Sequence, residues 1–197
     1  MSPPTGAPRM GAESFERIYA ASEDPWGYRT SEYERRKYED TLAALPARPI
    51  GRALECGCSI GVFTELLAAR CAQVVAMDFA PSALALARER VGGLANVELL
   101  QASFPEQAPQ GPWDVVICSE VLYYLDGPAL LAAARWLAEQ LRDGASVLAV
   151  SWRGEGSQEP MRGDEAHDVL VRELRGRHTL DARRSGYRLD RFDDDGR

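Results

Sequence analysis

Hydrophobic positions fall into two regimes along the chain. Before residue 50 they recur at helical spacing. "ESFERIYAASEDPW" predicts a short helix running into a loop. "TSEYERRKYEDTLAAL" predicts a second helix, capped by Thr30 or Ser31, in which Tyr33 with Lys37 and Tyr38 with Leu42 share a spacing of four. "PARPI" breaks the pattern. From Arg52 onward, short and almost wholly apolar runs alternate with helical ones. The predicted strands are "RALEC", "QVVAMD", "VELLQA", "WDVVICS" and "ASVLAVSW". The predicted helices between them are "GVFTELLAARC", "PSALALARERVG" and "GPALLAAARWLAEQLRDG". Runs that are apolar throughout suit strands covered on both faces, as in a parallel sheet. Their alternation with helices over short connections predicts a doubly wound α/β domain. The end of the chain differs. A helix, "GDEAHDVLVRELRG", precedes "HTLDARRSGYRLDRF", which reads as two strands meeting at Ser185–Gly186 in a C-terminal antiparallel hairpin.

The opening "MSPPTGAPRM" lacks the apolar centre of a signal peptide and reads as a disordered tail over residues 1–12. Residues 13–197 then form one domain, with N-terminal cap helices over 13–46 and the α/β core over 50–197. A length of 197 residues supports one substantial core, and a hydrophobic fraction of 45% fits a globular protein. No apolar run approaches the ~18 residues of a membrane span. A net charge of −7 offers no attraction to phosphate backbones or anionic lipid. Neither nucleic acid nor membrane is therefore expected as a partner. Lys37 is the only lysine among 23 basic residues, and the arginines are scattered. Cys56, Cys58, Cys71 and Cys118 all lie in apolar stretches, and a Cys56–Cys58 disulfide would be strained. Reduced thiols in a cytoplasmic protein are the expectation.

In an open α/β sheet, ligands bind beyond the carboxyl ends of the strands. Strand one ends in Glu55 and then "CGCSIG". Gly57 allows a ligand to approach the main chain, and Gly61 allows close packing where the helix starts. The spacing G-x-x-x-G departs from the G-x-G-x-x-G of a pyrophosphate loop, which argues against a NAD-dependent oxidoreductase. A smaller group, such as the amino-acid half of S-adenosylmethionine, needs only a few backbone groups and an acid. A tight turn with packing glycines and no ligand is the plain alternative. Strand two ends in Asp78, about 20 residues on, where an acid suits a ribose diol; alone it could simply cap the next helix. Strand three ends in Ser103 and Phe104, which can meet an adenine edge and face, or can be a turn serine and a core ring. Strand four runs into Ser119 and Glu120 and then paired tyrosines, Tyr123 and Tyr124. An acid in such a cleft can bind a cation or move a proton; it can equally pair with an arginine. After strand five, Asp164, Glu165, His167 and Asp168 crowd one helix start, where acids are favoured anyway. With so few histidines no metal is expected. His167 is suited to proton transfer, whereas His178 is expected to pack or face solvent.

Together these residues resemble the class I S-adenosylmethionine-dependent methyltransferases, whose first motif is an acid followed by G-x-G-x-G. Here that motif reads Glu55, Gly57, Ser59, Gly61, with Ser59 in place of the middle glycine. A closer resemblance, to the nodulation protein S (NodS) type, rests on "DPWGYRTSEYERRKY", "ALECGCSIGVFTELLA", "SEVLYYL" and "GDEAHD", four separated segments in the same order. The resemblance implies a Rossmann-like fold with a mostly parallel seven-stranded sheet, and S-adenosyl-L-methionine as cofactor. The expected cofactor-binding residues are Trp26 and Arg36 from the N-terminal segment, Glu55, Gly57, Ser59 and Gly61 from the first loop, Asp78, Phe79, Ser103, Phe104 and Ser119. It also implies N-methylation of a small-molecule acceptor, an amine on a sugar such as a chito-oligosaccharide.

The expected reaction is in-line displacement, in which the protein positions the acceptor. Glu120 and His167 are the candidate proton acceptors, and Tyr123 the candidate orienting hydroxyl. Trp152 or Tyr123 can present an aromatic face to a sugar or to cationic charge. The alternative is an O-methyltransferase of a small hydroxylated metabolite, which needs His167 more strictly as base. A nucleic-acid methyltransferase is disfavoured because "SEVLYY" replaces the "NPPY" or "DPPY" type of segment. A non-enzymatic cofactor binder is the remaining reading.

Overall fold

Seven strands form one sheet in the order β3-β2-β1-β4-β5-β7-β6. They are β1 (Ile50–Cys56), β2 (Cys71–Asp78), β3 (Val97–Gln101), β4 (Val115–Ser119), β5 (Ser146–Trp152), β6 (Arg177–Arg183) and β7 (Tyr187–Asp193). The computed structural model describes residues 11–154, 159–174 and 177–194. The first five strands run parallel, and the terminal hairpin adds β7 antiparallel to β5 with β6 outside it. The hairpin, the parallel core and the two preceding helices are those the sequence predicts.

Side chains on successive strand residues point to opposite faces, and both faces here are apolar. Leu54 and Cys56 of β1 join Met77, Val116 and Cys118 under α5 (Gly127–Arg142) and α6 (Gly163–Glu173). Ala53 joins Val74, Ala76, Val115 and Ile117 on the other face, together with Phe63 and Leu67 of α3 (Val62–Ala68) and Leu84 of α4 (Pro81–Val91). All four cysteines are buried free thiols. Cys71, predicted at the end of a helix, instead opens β2, pairing in register with Ile50. Among the described residues no helix is long and apolar enough to cross a membrane.

The N-terminal segment is an arm laid over the carboxyl edge of this core. α1 spans Ala12–Ala21 and α2 spans Glu32–Ala43. The predicted tail falls mainly on residues 1–10, outside the described residues. Ser31, not Thr30, caps α2, its Oγ accepting the Glu34 N–H at 3.4 Å. Between the helices Asp24 closes the turn "DPWGYR": its carboxylate accepts the N–H groups of Tyr28 (2.7 Å) and Arg29 (3.0 Å). α1 is fastened to the first turn of α4, where Ser82 donates its N–H (3.2 Å) and hydroxyl (2.5 Å) to Glu16. α2 packs on the sheet through Tyr38, which stacks on Phe63 at 5.3 Å.

The far side of the sheet carries a polar core. Arg188 and Asp190 of β7 and His167 of α6 are all fully or almost fully buried. His167 Nδ1 is 2.8 Å from Asp190 Oδ2, and Arg188 Nε is 2.9 Å from the same oxygen. Arg188 also donates to Asp168 at 2.7 Å. His178 packs on Phe192 with near-parallel rings and brings Nε2 within 3.1 Å of Asp190 Oδ1.

Candidate active site

Strand β1 has β2 on one side and β4 on the other, so the chain leaves it in one direction and returns in the opposite one. Such a switch point leaves a crevice at the strand ends. Here it is a cleft of about 680 Å³, continuing into a second space of about 330 Å³ that shares Tyr28, Gly57, Ser59, Ser119 and Glu120 with it. The floor is Gly57, Ser59, Met77, Asp78, Ala102, Ser119 and Glu120; the walls are Phe15, Tyr19, Trp26, Tyr28, Phe79, Phe104 and Tyr124. The aromatic wall is one connected cluster. Phe15 meets Phe79 and Tyr124 edge to face at 5.2 and 5.0 Å, and Trp26 packs between Tyr19 and Tyr28 at 5.6 Å from each.

The loop after β1 shows why its residue types matter. Gly57 has φ +80°, a region that favours glycine, and a Cβ there would lie 3.3 Å from Val121 Cβ on the cleft wall. The missing side chain keeps the floor open. Gly61 has φ +77°, and a Cβ on it would press on Ala87 Cβ at 3.2 Å, so this glycine lets α3 and α4 approach. Ser59 takes φ +50°, a left-handed conformation that costs a non-glycine residue roughly 1–2 kcal/mol. Two bonds hold it there: its N–H donates to Asp78 Oδ2 at 2.9 Å, and its Oγ is 2.5 Å from the Tyr19 hydroxyl. Asp78 Oδ1 accepts the Ala80 N–H at 2.9 Å. Burial pushes the Asp78 carboxyl up despite these donors. Glu55, buried below the loop, accepts the Thr64 hydroxyl at 2.7 Å, and burial pushes its carboxyl up to about 7.

Glu120 forms the far end of the cleft. Its φ of +56° is left-handed, and its N–H donates to Val150 O at 2.8 Å. Its carboxylate takes three donors: Lys37 Nζ to Oε1 at 2.6 Å, and the Tyr123 hydroxyl (2.7 Å) and Trp152 N–H (2.9 Å) to Oε2. A carboxylate has about four acceptor positions. One therefore stays available on Oε1. Among the described residues no cluster of three or more His, Cys, Asp and Glu is arranged to hold a metal ion.

With this geometry in place, the chain can be set beside known proteins. The family model described as nodulation protein S (NodS) matches residues 11–185. The chain belongs to the NodS family. The nodulation protein S of Sinorhizobium fredii (strain NBRC 101917 / NGR234) is 34% identical over 115 residues, 58% of this chain and 53% of that protein. The chain spans about half the length of such curated relatives. Among solved structures, a putative methyltransferase from Pseudomonas syringae is 31% identical with a TM-score of 0.72, over 82% of this chain and 99% of that one. The N-methyltransferase NodS from Bradyrhizobium japonicum WM9, in complex with S-adenosyl-L-homocysteine, shares the Rossmann-like methyltransferase fold. Its TM-score is 0.78 at 22% identity, over 93% of this chain and 98% of that one.

Within this NodS-family fold, the cleft gathers most of the predicted cofactor residues. Trp26, Gly57, Ser59, Asp78, Phe79, Phe104 and Ser119 line it, and Glu55 lines the adjoining space. Gly61 acts one step back, through helix packing. Ser103 is not brought to the lining; its N–H donates to the Gln107 side chain at 2.8 Å. Arg36 is not brought there either. It lies on the exposed face of α2, bonded to Glu32 at 2.8 Å. Lys37, one residue on, turns inward. Of the candidate catalytic residues, Glu120 lines both spaces, and Tyr123 is buried behind it as its hydrogen-bond donor. Tyr124 takes the wall position instead. His167 is sealed beneath α6 against Asp190 and is absent from both linings. Trp152 contributes its N–H, while its indole lies against Gly154. Sequence reasoning missed Phe15, Tyr19 and Tyr28, which "ESFERIY" and "DPWGY" carry as aromatic residues at the arm's inner face, and it missed the Glu34–Lys37 pair.

Proposed function

We propose that the protein is an S-adenosylmethionine-dependent methyltransferase acting on an amine of a small molecule, an amino sugar or chito-oligosaccharide-like compound. The observation that carries this reading is the charge of the cleft. It is floored by two carboxylates, Asp78 and Glu120, and walled by aromatic faces; among the described residues no arginine or lysine lines it, and Lys37 reaches Glu120 from behind. Such a site suits a cationic ligand bearing hydroxyl donors. The open cradle above Gly57, the buried Asp78 carboxylate and the aromatic wall fit S-adenosylmethionine. When bound, that cofactor supplies a methyl group activated by the adjacent sulfonium charge.

The chain's own residues do the rest. Asp78 accepts from the ribose hydroxyls, Phe79 and Phe104 flank the base, and Gly57 with Ser119 meets the amino-acid end. Phe15, Tyr19 and Trp26 exclude water. Glu120 uses its remaining Oε1 acceptor position on an N–H of the acceptor amine. That contact orients the nitrogen lone pair toward the methyl group, and placement of this kind supplies much of the acceleration. The proton released as the methylammonium product becomes neutral passes to Glu120 or to water. A hydroxyl acceptor demands a stronger base, and His167, the candidate for that task, is sealed away from the cleft. The amine reading is therefore the better supported.

The test is transfer of label from methyl-labelled S-adenosylmethionine to a chito-oligosaccharide carrying a free terminal amine, with its N-acetylated form and a phenolic metabolite alongside. Label on the free-amine compound alone is expected. Label on the hydroxylated compound alone overturns the amine assignment. As a control, Asp78→Ala weakens S-adenosylhomocysteine binding about ten-fold or more; unchanged affinity removes Asp78 from the site.

A further inference from the structure

Lys37 is the largest unexplained cost in the arm. Its side chain is 2% exposed, and an ammonium is taken out of water only where partners hold it. It has two: Glu34 Oε2 at 2.8 Å, one helical turn back on α2, and Glu120 Oε1 at 2.6 Å, across the gap to the end of β4. The Tyr33 ring lies 5.2 Å from the same nitrogen. A helix anchor alone needs only the first pair or an apolar residue. The second pair reaches into the cleft and ends on a residue whose backbone is itself left-handed.

We propose that Lys37 is a positioning residue for the reaction: with the Tyr123 hydroxyl and the Trp152 N–H it fixes the Glu120 carboxylate in one orientation toward the cleft, while Glu34 holds the other side of its ammonium. The inference rests on the reading of Glu120 as the residue that meets the acceptor. Glu34 and Glu120 share the one ammonium, burial pushes the Glu34 carboxyl up, and Glu120 is the partner that faces the cleft. The donors converge from three elements: Lys37 from α2, the Tyr123 hydroxyl from the turn at Leu122–Tyr124, and the Trp152 N–H from β5. Together they leave the carboxylate one free acceptor position. An acceptor that arrives or departs as a cation meets a fixed charge there, and a neutral hydroxyl gains less.

Among the described residues, the titratable groups around Glu120 come from four places, with Glu159 acting on the neighbouring Tyr124. α2 presents Lys37, Glu34, Tyr33 and Tyr38. The turn presents Tyr123 and Tyr124, the arm presents Tyr28, and the adjoining space presents Glu55. Burial keeps these phenols protonated across the working range. Arg153, next after β5, is engaged by Asp164 at 3.0 Å. Among the described residues, Lys37 is the cation seen paired with Glu120.

The experiment compares Lys37→Met, Lys37→Arg and Glu34→Gln in the full chain. It reads kcat and KM with an amine acceptor, and S-adenosylhomocysteine affinity separately. Lys37→Met is expected to lower kcat about ten-fold or more, with cofactor affinity held within about three-fold. Lys37→Arg restores kcat to within about three-fold of the parent, and Glu34→Gln, which frees one side of the ammonium, lowers kcat by about three-fold with cofactor affinity unchanged. A Lys37→Met enzyme with the parent's kcat overturns the proposal. Should Lys37→Met not fold, Glu34→Gln decides alone: a lowered kcat at unchanged cofactor affinity supports the role, and the parent's kcat overturns it. If the parent methylates no amine, the functional reading falls by itself. A crystal structure then tests the positioning: in Lys37→Met the Glu120 carboxylate leaves the Trp152 N–H, whereas in Lys37→Arg it keeps that bond; a carboxylate that stays in place in Lys37→Met overturns the proposal.

Discussion

The Tyr19 hydroxyl and Ser59 Oγ lie 2.5 Å apart, joining α1 to the loop after β1 over the mouth of the cleft. The contact gives the unusual serine of the motif a use. A glycine at position 59 would take the left-handed backbone at no cost, but could not hold the arm. Burial and the neighbouring Asp78 carboxylate push the Tyr19 phenol far up, so it remains a hydrogen-bond donor at any working pH. A net hydrogen bond contributes about 1 kcal/mol. Tyr19→Phe and Ser59→Ala should each weaken S-adenosylhomocysteine binding by about five-fold, and the double variant should be no weaker than either alone. Titration calorimetry on the four proteins checks this. Additive losses would mean that the two residues act separately.

Glu55 carries a pH dependence of stability. In the unfolded chain its carboxyl ionises near 4.5, whereas in the folded protein burial delays this to about 7. Between those values the folded state binds the extra proton, so stability present below 4.5 is lost as pH rises through 7. Glu55→Gln avoids that loss while keeping an acceptor for the Thr64 hydroxyl. Its advantage over the parent should be absent below the unfolded value and grow to about 3 kcal/mol at alkaline pH. Melting curves at pH 4 and pH 9 should therefore differ in their parent-to-variant gap by on the order of 5–10 °C. An equal gap at both pH values would contradict the assignment.

His167 behaves as a core residue in this structure, with Asp190 at 2.8 Å and no face on the cleft. His167→Ala should lower stability by roughly 2–4 kcal/mol, since it leaves a cavity and removes a partner from a buried acid. Turnover per folded molecule should stay within about two-fold. A hundred-fold loss of kcat in a protein that melts like the parent would return His167 to the chemistry.

The parallel core was legible because its strands are apolar throughout and their ends are marked by polar residues. Glu55, Gly57, Asp78 and Glu120 all sit at such ends, and the rule that looks for ligands there pointed to residues that the structure places along the cleft or its adjoining space. The arm was harder. Arg36 and Lys37 are neighbours, and a helix turns by 100° between them, so one faces water and the other the core. The signal that separates them was present: Lys37 is the chain's sole lysine, three residues after Glu34 and four before the buried Thr41. His167 misled for the opposite reason. Its place after strand five suggested the cleft, but its neighbours Ala166, Val169 and Leu170 are all buried and mark the inward face of α6. The third strand end shows the limit of position alone. Phe104 reaches the cleft while Ser103, next to it, turns to Gln107.

The most direct test of the account is Glu120→Gln, with kcat for an amine acceptor and S-adenosylhomocysteine affinity measured on the same preparation. Glutamine keeps the size of the side chain and removes the charge that faces the acceptor. The account predicts kcat lower by about 10²-fold or more, with cofactor affinity within about three-fold of the parent. A Glu120→Gln protein that methylates the amine at the parent rate would contradict it.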